Sequence, residues 1–362
     1  MFSMKSYFKT HLNEVIRIQS RSGRDLERGL RLDRNERPDN FSQEIVEDIF
    51  NNIDPYIFNV YPECDAFYEK LSIYSGLPRE YLFLTEGITG GMKIMMETLI
   101  EPGDNVIVPY PSYELYPIFC NIYQAEYREV GYTERLDLDI DQLMSFIDDK
   151  TKIVFLPNPN QPIESYLDKD QLSLIVEKCR DNNAMFALDE CYDGYCESYS
   201  RDLIMEYDNV VALRTFSKSF GLAAIRLGYM ASNPENIEYL SKVRGITEAN
   251  SFSLLIAEYI LDNKNIFEEY IEDIKISRTY TKKVFEKLGV RWHGGNYGNF
   301  ITIFTKNKTS TIDLVQELKE HKIYVRGPFK DPFSNCIRIT IGSKAIMEKF
   351  FKVFESVYKE YV

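Results

Sequence analysis

Short apolar runs alternate with longer amphipathic stretches through the middle of the chain. The apolar runs predict strands at residues 81–85, 105–108, 152–156, 185–188, 210–213 and 227–231. The stretches between them have helical periodicity, as at residues 90–99 and 169–179. Strands that alternate with helices in this way are typical of βαβ units, so the sequence predicts an α/β fold with a mostly parallel central sheet.

The pattern changes after about residue 235. Long helices are predicted over residues 235–290, and a mixed pattern of strands and helices follows to the C-terminus. We therefore expect a large domain at residues 45–250 and a smaller α+β domain formed by residues 1–44 and 251–362. Since no Gly/Ser-rich linker separates them, the two domains should pack closely.

Composition narrows the possible functions. The net charge of −13 argues against binding to nucleic acid or to an anionic membrane, and no apolar stretch approaches the length of a membrane span. The six cysteines are scattered, which favours reduced thiols and a cytoplasmic location. The three histidines lie in no motif with metal-ligand spacing, so neither a metalloenzyme nor a serine–histidine hydrolase is expected. The chemistry should come from lysine, tyrosine, carboxylates and a bound cofactor.

The most informative motif is Thr-Phe-Ser-Lys-Ser-Phe-Gly at residues 215–221. Its amine, Lys218, follows an apolar run and has two hydroxyl groups nearby, on Thr215 and Ser217, with the guanidinium of Arg226 shortly after. An amine beside groups that suit a dianionic phosphate is what a pyridoxal phosphate site requires. Alone the motif is weak evidence, because most lysines are solvated surface residues.

Two residues at the end of another predicted strand strengthen this interpretation. Asp189 follows a strongly apolar run, where a partly desolvated carboxylate needs a cationic partner such as a protonated pyridine nitrogen. Tyr192 could reach the same pocket and contact the phenolic oxygen of the cofactor. The alternatives are a helix-capping or salt-bridged aspartate and an ordinary half-buried tyrosine.

Two further segments follow predicted strands. Gly87, Ile88 and Thr89 belong to a glycine-rich turn before a helix, where backbone N–H groups can face a phosphate. Tyr113 could stack on a planar ring. Glycine also serves ordinary turns, and a loop tyrosine can simply cover the core.

These motifs occur together in an order that resembles the class I/II, fold-type I aminotransferases, and within them the histidinol-phosphate aminotransferase branch. The resemblance covers residues 30–345. In chain order its motifs are Leu-Asp-Arg-Asn-Glu-Arg-Pro at 32–38, Tyr-Pro at 61–62, the Gly87 turn, Pro-Ser-Tyr at 111–113, Asn-Pro-Asn-Gln-Pro at 158–162, Asp-Glu-Cys-Tyr at 189–192, the Lys218 motif, Arg-Leu-Gly-Tyr at 226–229 and Ile-Arg-Ile-Thr-Ile-Gly at 337–342.

The resemblance implies a fold-type I enzyme with pyridoxal 5′-phosphate as cofactor and with Lys218, Asp189 and Tyr192 as catalytic residues. Lys218 would condense with the aldehyde of the cofactor and, once freed, carry the proton of the reaction. The residues implied to contact the cofactor are Gly87, Ile88, Thr89, Tyr113, Gln161, Asp189, Tyr192, Thr215, Ser217, Lys218, Arg226 and Tyr61. Tyr61 would come from the partner subunit, which implies a homodimer with shared active sites. The residues implied to bind the substrate are Asn35, Arg326 and Arg338.

The chain departs from the family at residues 160–164. The family pattern is Asn-Asn-Pro-Thr-Gly, and this chain has Asn-Gln-Pro-Ile-Glu. Gln161 keeps the amide but places it one methylene further out, so its contact with the cofactor must be reshaped. Ile163 and Glu164 change a loop that faces the substrate in the family, and we expect the Glu164 carboxylate to point to solvent. The change reflects either sequence drift in a tolerant loop or a substrate different from histidinol phosphate, and we favour the second explanation.

Three functions are compatible with the sequence. The first is an aminotransferase that moves an amino group from an amino acid, with glutamate favoured, to a small phosphorylated keto compound. The anionic end of this keto compound could be neutralised by Arg326, Arg338 and the N-terminal arginines Arg21, Arg24 and Arg31. The second is a decarboxylase of a phosphorylated amino acid. The third, a non-catalytic protein of the same fold, is disfavoured because Lys218, Ser217 and Arg226 are all present.

Overall fold

A computed structural model describes residues 9–16 and 24–362 of the chain. Within these residues the strands are β1 (Leu30–Leu32), β2 (Leu82–Thr85), β3 (Asn105–Pro109), β4 (Glu126–Val130), β5 (Thr151–Pro157), β6 (Met185–Asp189), β7 (Val210–Thr215), β8 (Gly228–Ala231), β9 (Trp292–Gly294), β10 (Phe300–Phe304), β11 (Ile323–Val325) and β12 (Cys336–Thr340).

The α-helices of the same residues are α1 (Gln43–Asn51), α2 (Asp65–Ser75), α3 (Gly87–Leu99), α4 (Leu115–Tyr123), α5 (Ile140–Phe146), α6 (Lys169–Asp181), α7 (Ser200–Glu206), α8 (Pro234–Ser241), α9 (Ser251–Asp262), α10 (Asn265–Leu288), α11 (Lys308–Glu320) and α12 (Lys344–Val357). Short 3-10 turns occur at Thr10–Glu14, Pro55–Phe58, Arg79–Tyr81, Ala223–Ile225 and Tyr358–Glu360.

The central sheet has seven strands in the order β2-β8-β7-β6-β5-β3-β4. Strand β8 runs antiparallel to both of its neighbours, and the other neighbouring pairs are parallel. The prediction of a mostly parallel central sheet in an α/β fold is therefore confirmed.

The burial of a strand's residues explains whether the sequence predicted that strand. Every residue of β3 is buried, and so is nearly all of β6, because helices cover both faces of the sheet and such strands are continuous apolar runs. Strand β4 was not predicted. It lies at the edge of the sheet, where only its last residue, Val130, is buried and its other residues tolerate charge.

A second, antiparallel sheet has the order β12-β10-β9. Helices α10 and α12 pack together through aromatic rings, with Phe285 of α10 lying 5.2 Å from Phe351 and 5.8 Å from Phe354 between ring centroids. Strand β1 pairs in parallel with β11, so that Leu30 stands opposite Ile323. The segment before α1 is thereby attached to the C-terminal part of the chain.

Candidate active site

A pocket of about 570 Å³ lies where the parallel strands of the central sheet end. Pro157, Asp189 and Thr215 are the last residues of β5, β6 and β7, and all three line it. Ligands bind beyond the carboxyl ends of strands in sheets of this kind. The opposite wall of the pocket contains Asp33, from the segment after β1, and Arg338 of β12.

One end of the pocket is the N-terminus of α3. Its first residue, Gly87, has φ +65, and a Cβ atom there would lie 3.1 Å from Nη2 of Arg226 and 3.7 Å from Oγ1 of Thr215. Ser217 joins this group, since its Oγ accepts from Thr215 at 3.0 Å and from Nη1 of Arg226 at 3.3 Å. Ile88 and Thr89 follow on the same turn and line the pocket. Hydroxyls, a guanidinium and the first turn of a helix form a cradle for an anion.

Lys218 lies in the middle of the pocket, and its Nζ donates to the backbone carbonyl oxygen of Arg34 at 2.9 Å. Burial lowers the pKa of the Lys218 amine to about 8, and the positive charge of Arg338 acts in the same direction. The hydroxyl of Tyr195 donates to the backbone oxygen of Lys218 at 3.2 Å. The amine is therefore held by backbone contacts in a form that loses its proton easily.

Asp189 is buried, and its carboxylate has two partners. The hydroxyl of Tyr116 donates to Oδ2 at 2.7 Å, and the backbone N–H of Cys191 donates to Oδ1 at 3.0 Å. Burial raises the pKa of Asp189, and these hydrogen bonds lower it. Tyr116 was not among the predicted residues, although its position three residues after Tyr113 and at the start of α4 was a possible signal. The Tyr113 ring meets the Tyr116 ring edge-on at 6.3 Å.

A hydrogen bond connects the side chains of Tyr192 and Asn35. The Nδ2 of Asn35 donates to the hydroxyl of Tyr192 at 2.6 Å, and the backbone N–H of Asn35 donates to Thr340 at 2.9 Å. Burial raises the pKa of Tyr192 well above its ordinary value. The predicted cofactor-binding tyrosine and the predicted substrate-binding asparagine are thus neighbours.

Arg338 and Arg326 form the other end of the pocket. Nη2 of Arg338 donates to the backbone oxygen of Asp33 at 2.7 Å, and Nη1 donates to Oε1 of Gln161. Arg326 forms an ion pair with Glu114. Among the residues that the structure describes, no acceptor meets the buried Nε of Arg338. Gln161 therefore contacts the predicted substrate arginine, and its predicted contact with a cofactor stays a prediction.

The prediction that Glu164 points to solvent is wrong. Glu164 is 6% exposed, and its carboxylate accepts the backbone N–H groups of Asn296 at 2.9 Å, Tyr297 at 3.0 Å and Gly298 at 2.9 Å. Three donors directed at one carboxylate replace its hydration, so the charge can be buried.

Ile163 is also buried, in a small cluster with Phe304, Phe333 and Cys336. Neither Ile163 nor Glu164 lines the pocket, whereas Gln161 does. Of the three residues that depart from the family pattern, Gln161 is the one that reaches the pocket.

Several other predicted residues lie elsewhere. Tyr61 is 77% exposed and lines a separate surface cavity with Lys70. Arg24 pairs with Glu36 at 2.6 Å and with Asp33 at 3.2 Å.

Arg31 donates to the backbone oxygen of Pro38 at 3.3 Å, so it is engaged within the N-terminal segment. Arg21 lies outside the described residues. Cys191, one of the six cysteines, lines the pocket beside Asp189.

Over residues 9–16 and 24–362, no group of three His, Cys, Asp or Glu side chains could hold a metal ion. In this part of the chain no helix is both long enough and apolar enough to cross a membrane.

Comparisons with known proteins agree on one family. The family described as "Aminotransferase class I and II" matches residues 29–354. A histidinol-phosphate aminotransferase of Methanococcus aeolicus is 31% identical over 91% of this chain and 90% of its own length. One from a Thermoanaerobacter species is 31% identical over 86% of this chain and 88% of its own.

The fold is matched by the crystal structure of histidinol-phosphate aminotransferase from Sinorhizobium meliloti in complex with pyridoxal-5′-phosphate. That structure superposes with a TM-score of 0.86 at 21% identity, covering 98% of this chain and 99% of the other. The predicted fold type I is confirmed by this likeness.

Proposed function

Because the chain belongs to the class I and II aminotransferases, we propose that it moves an amino group from glutamate to a small phosphorylated keto compound, with pyridoxal 5′-phosphate as its cofactor. The observation that carries this proposal is the position of Lys218. Its amine shares one pocket with an anion cradle at the start of α3 and with the two arginines Arg326 and Arg338. An amino acid and a phosphorylated compound both present an anion to such arginines.

The residues of the pocket fit the cofactor. A Cβ atom at Gly87 would fill the space in front of Arg226 and Thr215, so the glycine keeps room there for a phosphate group. Within the described residues the buried carboxylate of Asp189 has hydrogen-bond donors and forms no ion pair, and a protonated ring nitrogen would provide the missing cation. Thr215, Ser217 and Arg226 would hold the phosphate, and Tyr113 would cover the ring.

When bound, the cofactor supplies an aldehyde that condenses with amines and a ring that withdraws electrons from the substrate. The chain supplies the proton transfer. An amine whose pKa is lowered to about 8 is substantially neutral near pH 8, so Nζ of Lys218 can accept the proton of the substrate α-carbon and later return one. Before that it must leave the backbone oxygen of Arg34.

The remaining residues orient the reactants. Asn35 fixes the hydroxyl of Tyr192 through a 2.6 Å hydrogen bond, so that this hydroxyl points to one place in the pocket. Arg338 is held by Asp33 and Gln161 and would bind the substrate carboxylate. Because Gln161 accepts from Nη1, a carboxylate that takes both terminal nitrogens of Arg338 must displace the Gln161 amide.

The two sheets support the expected division of the chain. Every strand of the seven-stranded sheet lies between Leu82 and Ala231, and the three-stranded sheet extends from Trp292 to Thr340. We accordingly propose a large domain at residues 45–250 and a small domain formed by residues 1–44 and 251–362, with the pocket between them.

We further propose a homodimer in which Tyr61 enters the pocket of the partner subunit. Tyr61 lies on a surface with several exposed apolar side chains, including Phe58 at 72% exposure, and single molecules seldom expose such patches. The test uses two inactive variants, Lys218→Ala and Tyr61→Ala. When both are mixed and allowed to exchange subunits, each hybrid has one intact site, and about a quarter of the activity should return. Activity that stays at the level of the separate variants would contradict shared sites.

The proposed reaction is tested by spectroscopy and product analysis. The purified protein, supplied with pyridoxal phosphate, should absorb in the visible range, and glutamate should shift that band. Lys218→Ala should keep the cofactor bound and lose turnover by orders of magnitude. Keto compounds with and without a phosphate are then compared as acceptors, and carbon dioxide is assayed in parallel. Release of carbon dioxide without transfer would replace the proposal by a decarboxylase.

A further inference from the structure

Arg326 and Arg338 stand opposite each other on two antiparallel backbone segments. The N–H of Arg326 donates to the oxygen of Arg338 at 3.0 Å, and the N–H of Arg338 donates back to Arg326 at 2.7 Å. Residues directly opposite in such a pair project to the same side, where like charges repel each other. Both arginines line the pocket. Together they present two positive charges to one end of a substrate.

The carboxylate of Glu114 forms an ion pair with one of these two arginines. Glu114 immediately precedes α4, a position where a side chain often caps its own helix, but its carboxylate makes no such bond. It pairs with Arg326 instead. The Arg326 side chain is 16% exposed and that of Glu114 is 46% exposed. Because water reaches the Glu114 side of this ion pair, the pair is screened and contributes little to stability, so a bound anion can displace it.

Arg338 is engaged differently. Two of its acceptors, Oε1 of Gln161 and the backbone oxygen of Asp33, are uncharged, and Arg338 itself is buried. Its positive charge is therefore not balanced by these contacts. Of the two arginines, Arg326 has a carboxylate partner from the chain, and Arg338 is the one prepared for a carboxylate from the substrate.

We propose that Glu114 is a specificity-determining residue. It acts as a displaceable counter-ion of Arg326 and lowers the affinity of the pocket for dianions. The inference rests on the proposed function, since it concerns the substrate end of that same pocket. A singly charged carboxylate binds Arg338 and leaves the Glu114–Arg326 pair intact. A phosphate dianion requires Arg326 as well, so it must separate the pair and remain close to the Glu114 carboxylate. Glu114 consequently weakens the binding of dianions more than the binding of monoanions, and it favours the release of a phosphorylated product.

The experiment compares two anions that need no turnover. Inorganic phosphate and acetate are titrated at pH 8 into the cofactor-loaded protein, so that phosphate does not take the cofactor site, and binding is followed by calorimetry. In Glu114→Gln, phosphate should bind about tenfold more tightly, whereas acetate should change by less than about threefold. The matched control is Glu134→Gln, which removes the same charge from an exposed turn and should change neither affinity.

A second pair of variants tests the mechanism. In an Arg326→Gln background, Glu114→Gln should give no gain in phosphate affinity, because the two residues act through one contact. A gain that persists without Arg326, an equal gain for both anions, or no gain at all would overturn the proposal. Failure of glutamate to shift the cofactor band in the wild-type protein would overturn the proposed function and leave the comparison of anions unaffected.

Discussion

The hydroxyl oxygen of Tyr116 lies 2.7 Å from the Oδ2 atom of Asp189, and both residues are almost completely buried. Burial raises the pKa of the Asp189 carboxyl, and the hydrogen bond from Tyr116 lowers it. The tyrosine therefore helps to keep the carboxylate charged, which is the form that can pair with a protonated ring nitrogen.

We predict that Tyr116→Phe weakens cofactor binding. A hydrogen bond to a charged group contributes about 1.5–3 kcal/mol, so the dissociation constant for pyridoxal phosphate should rise at least about tenfold. Equilibrium dialysis of the cofactor measures this. The control is Tyr123→Phe at the end of the same helix, which should behave like the wild type. Equal affinities in the two variants would show that the hydroxyl of Tyr116 does not support Asp189.

The ionisation of Lys218 gives a prediction of pH dependence. Burial disfavours the charged ammonium and lowers its pKa to about 8, so the neutral amine predominates above that pH. In the cofactor-free protein, labelling of Lys218 by an amine-reactive reagent should be half-maximal near pH 8, compared with about 10.4 for an ordinary lysine. Mass spectrometry of the labelled peptide gives the profile.

A variant tests the electrostatic part of this shift. The positive charge of Arg338 also lowers the pKa of Lys218, so Arg338→Gln should move the labelling profile to higher pH. A profile that stays in place would show that Arg338 does not contribute, and would leave burial and the charge of Arg226 as the causes of the shift.

Gln161 should control access of a carboxylate to Arg338. In Gln161→Glu, a second carboxylate would stand against Nη1 of Arg338 and compete with the substrate, so the KM for glutamate should rise at least about tenfold. Gln161→Asn shortens the side chain by one methylene and removes the contact without adding charge, so its KM should rise less. Steady-state kinetics with glutamate compares the two. If the asparagine variant were the more impaired, the amide would have a role other than holding Arg338.

Glu164 should be important for stability. In Glu164→Ala, three backbone N–H groups lose a charged acceptor, so the free energy of unfolding should fall by about 2–4 kcal/mol. Glu164→Gln keeps one acceptor oxygen and should lose less. Urea unfolding followed by circular dichroism measures both against the exposed-site control Glu134→Ala, which should lie within about 0.5 kcal/mol of the wild type. A loss no greater than that of the control would mean that water replaces the carboxylate.

The sequence predicted the parts of the molecule that depend on local pattern. Strands that are completely or almost completely buried, such as β3 and β6, are continuous apolar runs and were found to within one residue, whereas the charged edge strand β4 was missed. Thr89, Tyr113, Gln161, Asp189 and Thr215 also meet in one pocket, because each ends or follows a strand of the central sheet at the same edge.

What the sequence could not predict depends on contacts between distant segments. Glu164 was expected in solvent because a carboxylate that faced inward would repel an anion, whereas its backbone partners lie far along the chain and begin at Asn296. Tyr116 was overlooked because it is one of 26 tyrosines and its role depends on Asp189, 73 residues away. The contact of Gln161 with Arg338 was not predicted, because the two residues lie 177 positions apart, and its contact with the cofactor stays a prediction.

The contact between Lys218 and Arg34 joins residues 184 positions apart, and Arg338 is held by Asp33 across 305 positions. Segments that lie far apart in the sequence, near residues 34, 218 and 338, therefore all contribute to the pocket. During synthesis the seven-stranded sheet can form as soon as Ala231 has emerged, but the wall that contains Arg338 is added last. We expect a chain released before that strand to present an open cradle that binds phosphate and lacks its substrate arginine, so phosphate binding should be acquired before substrate binding.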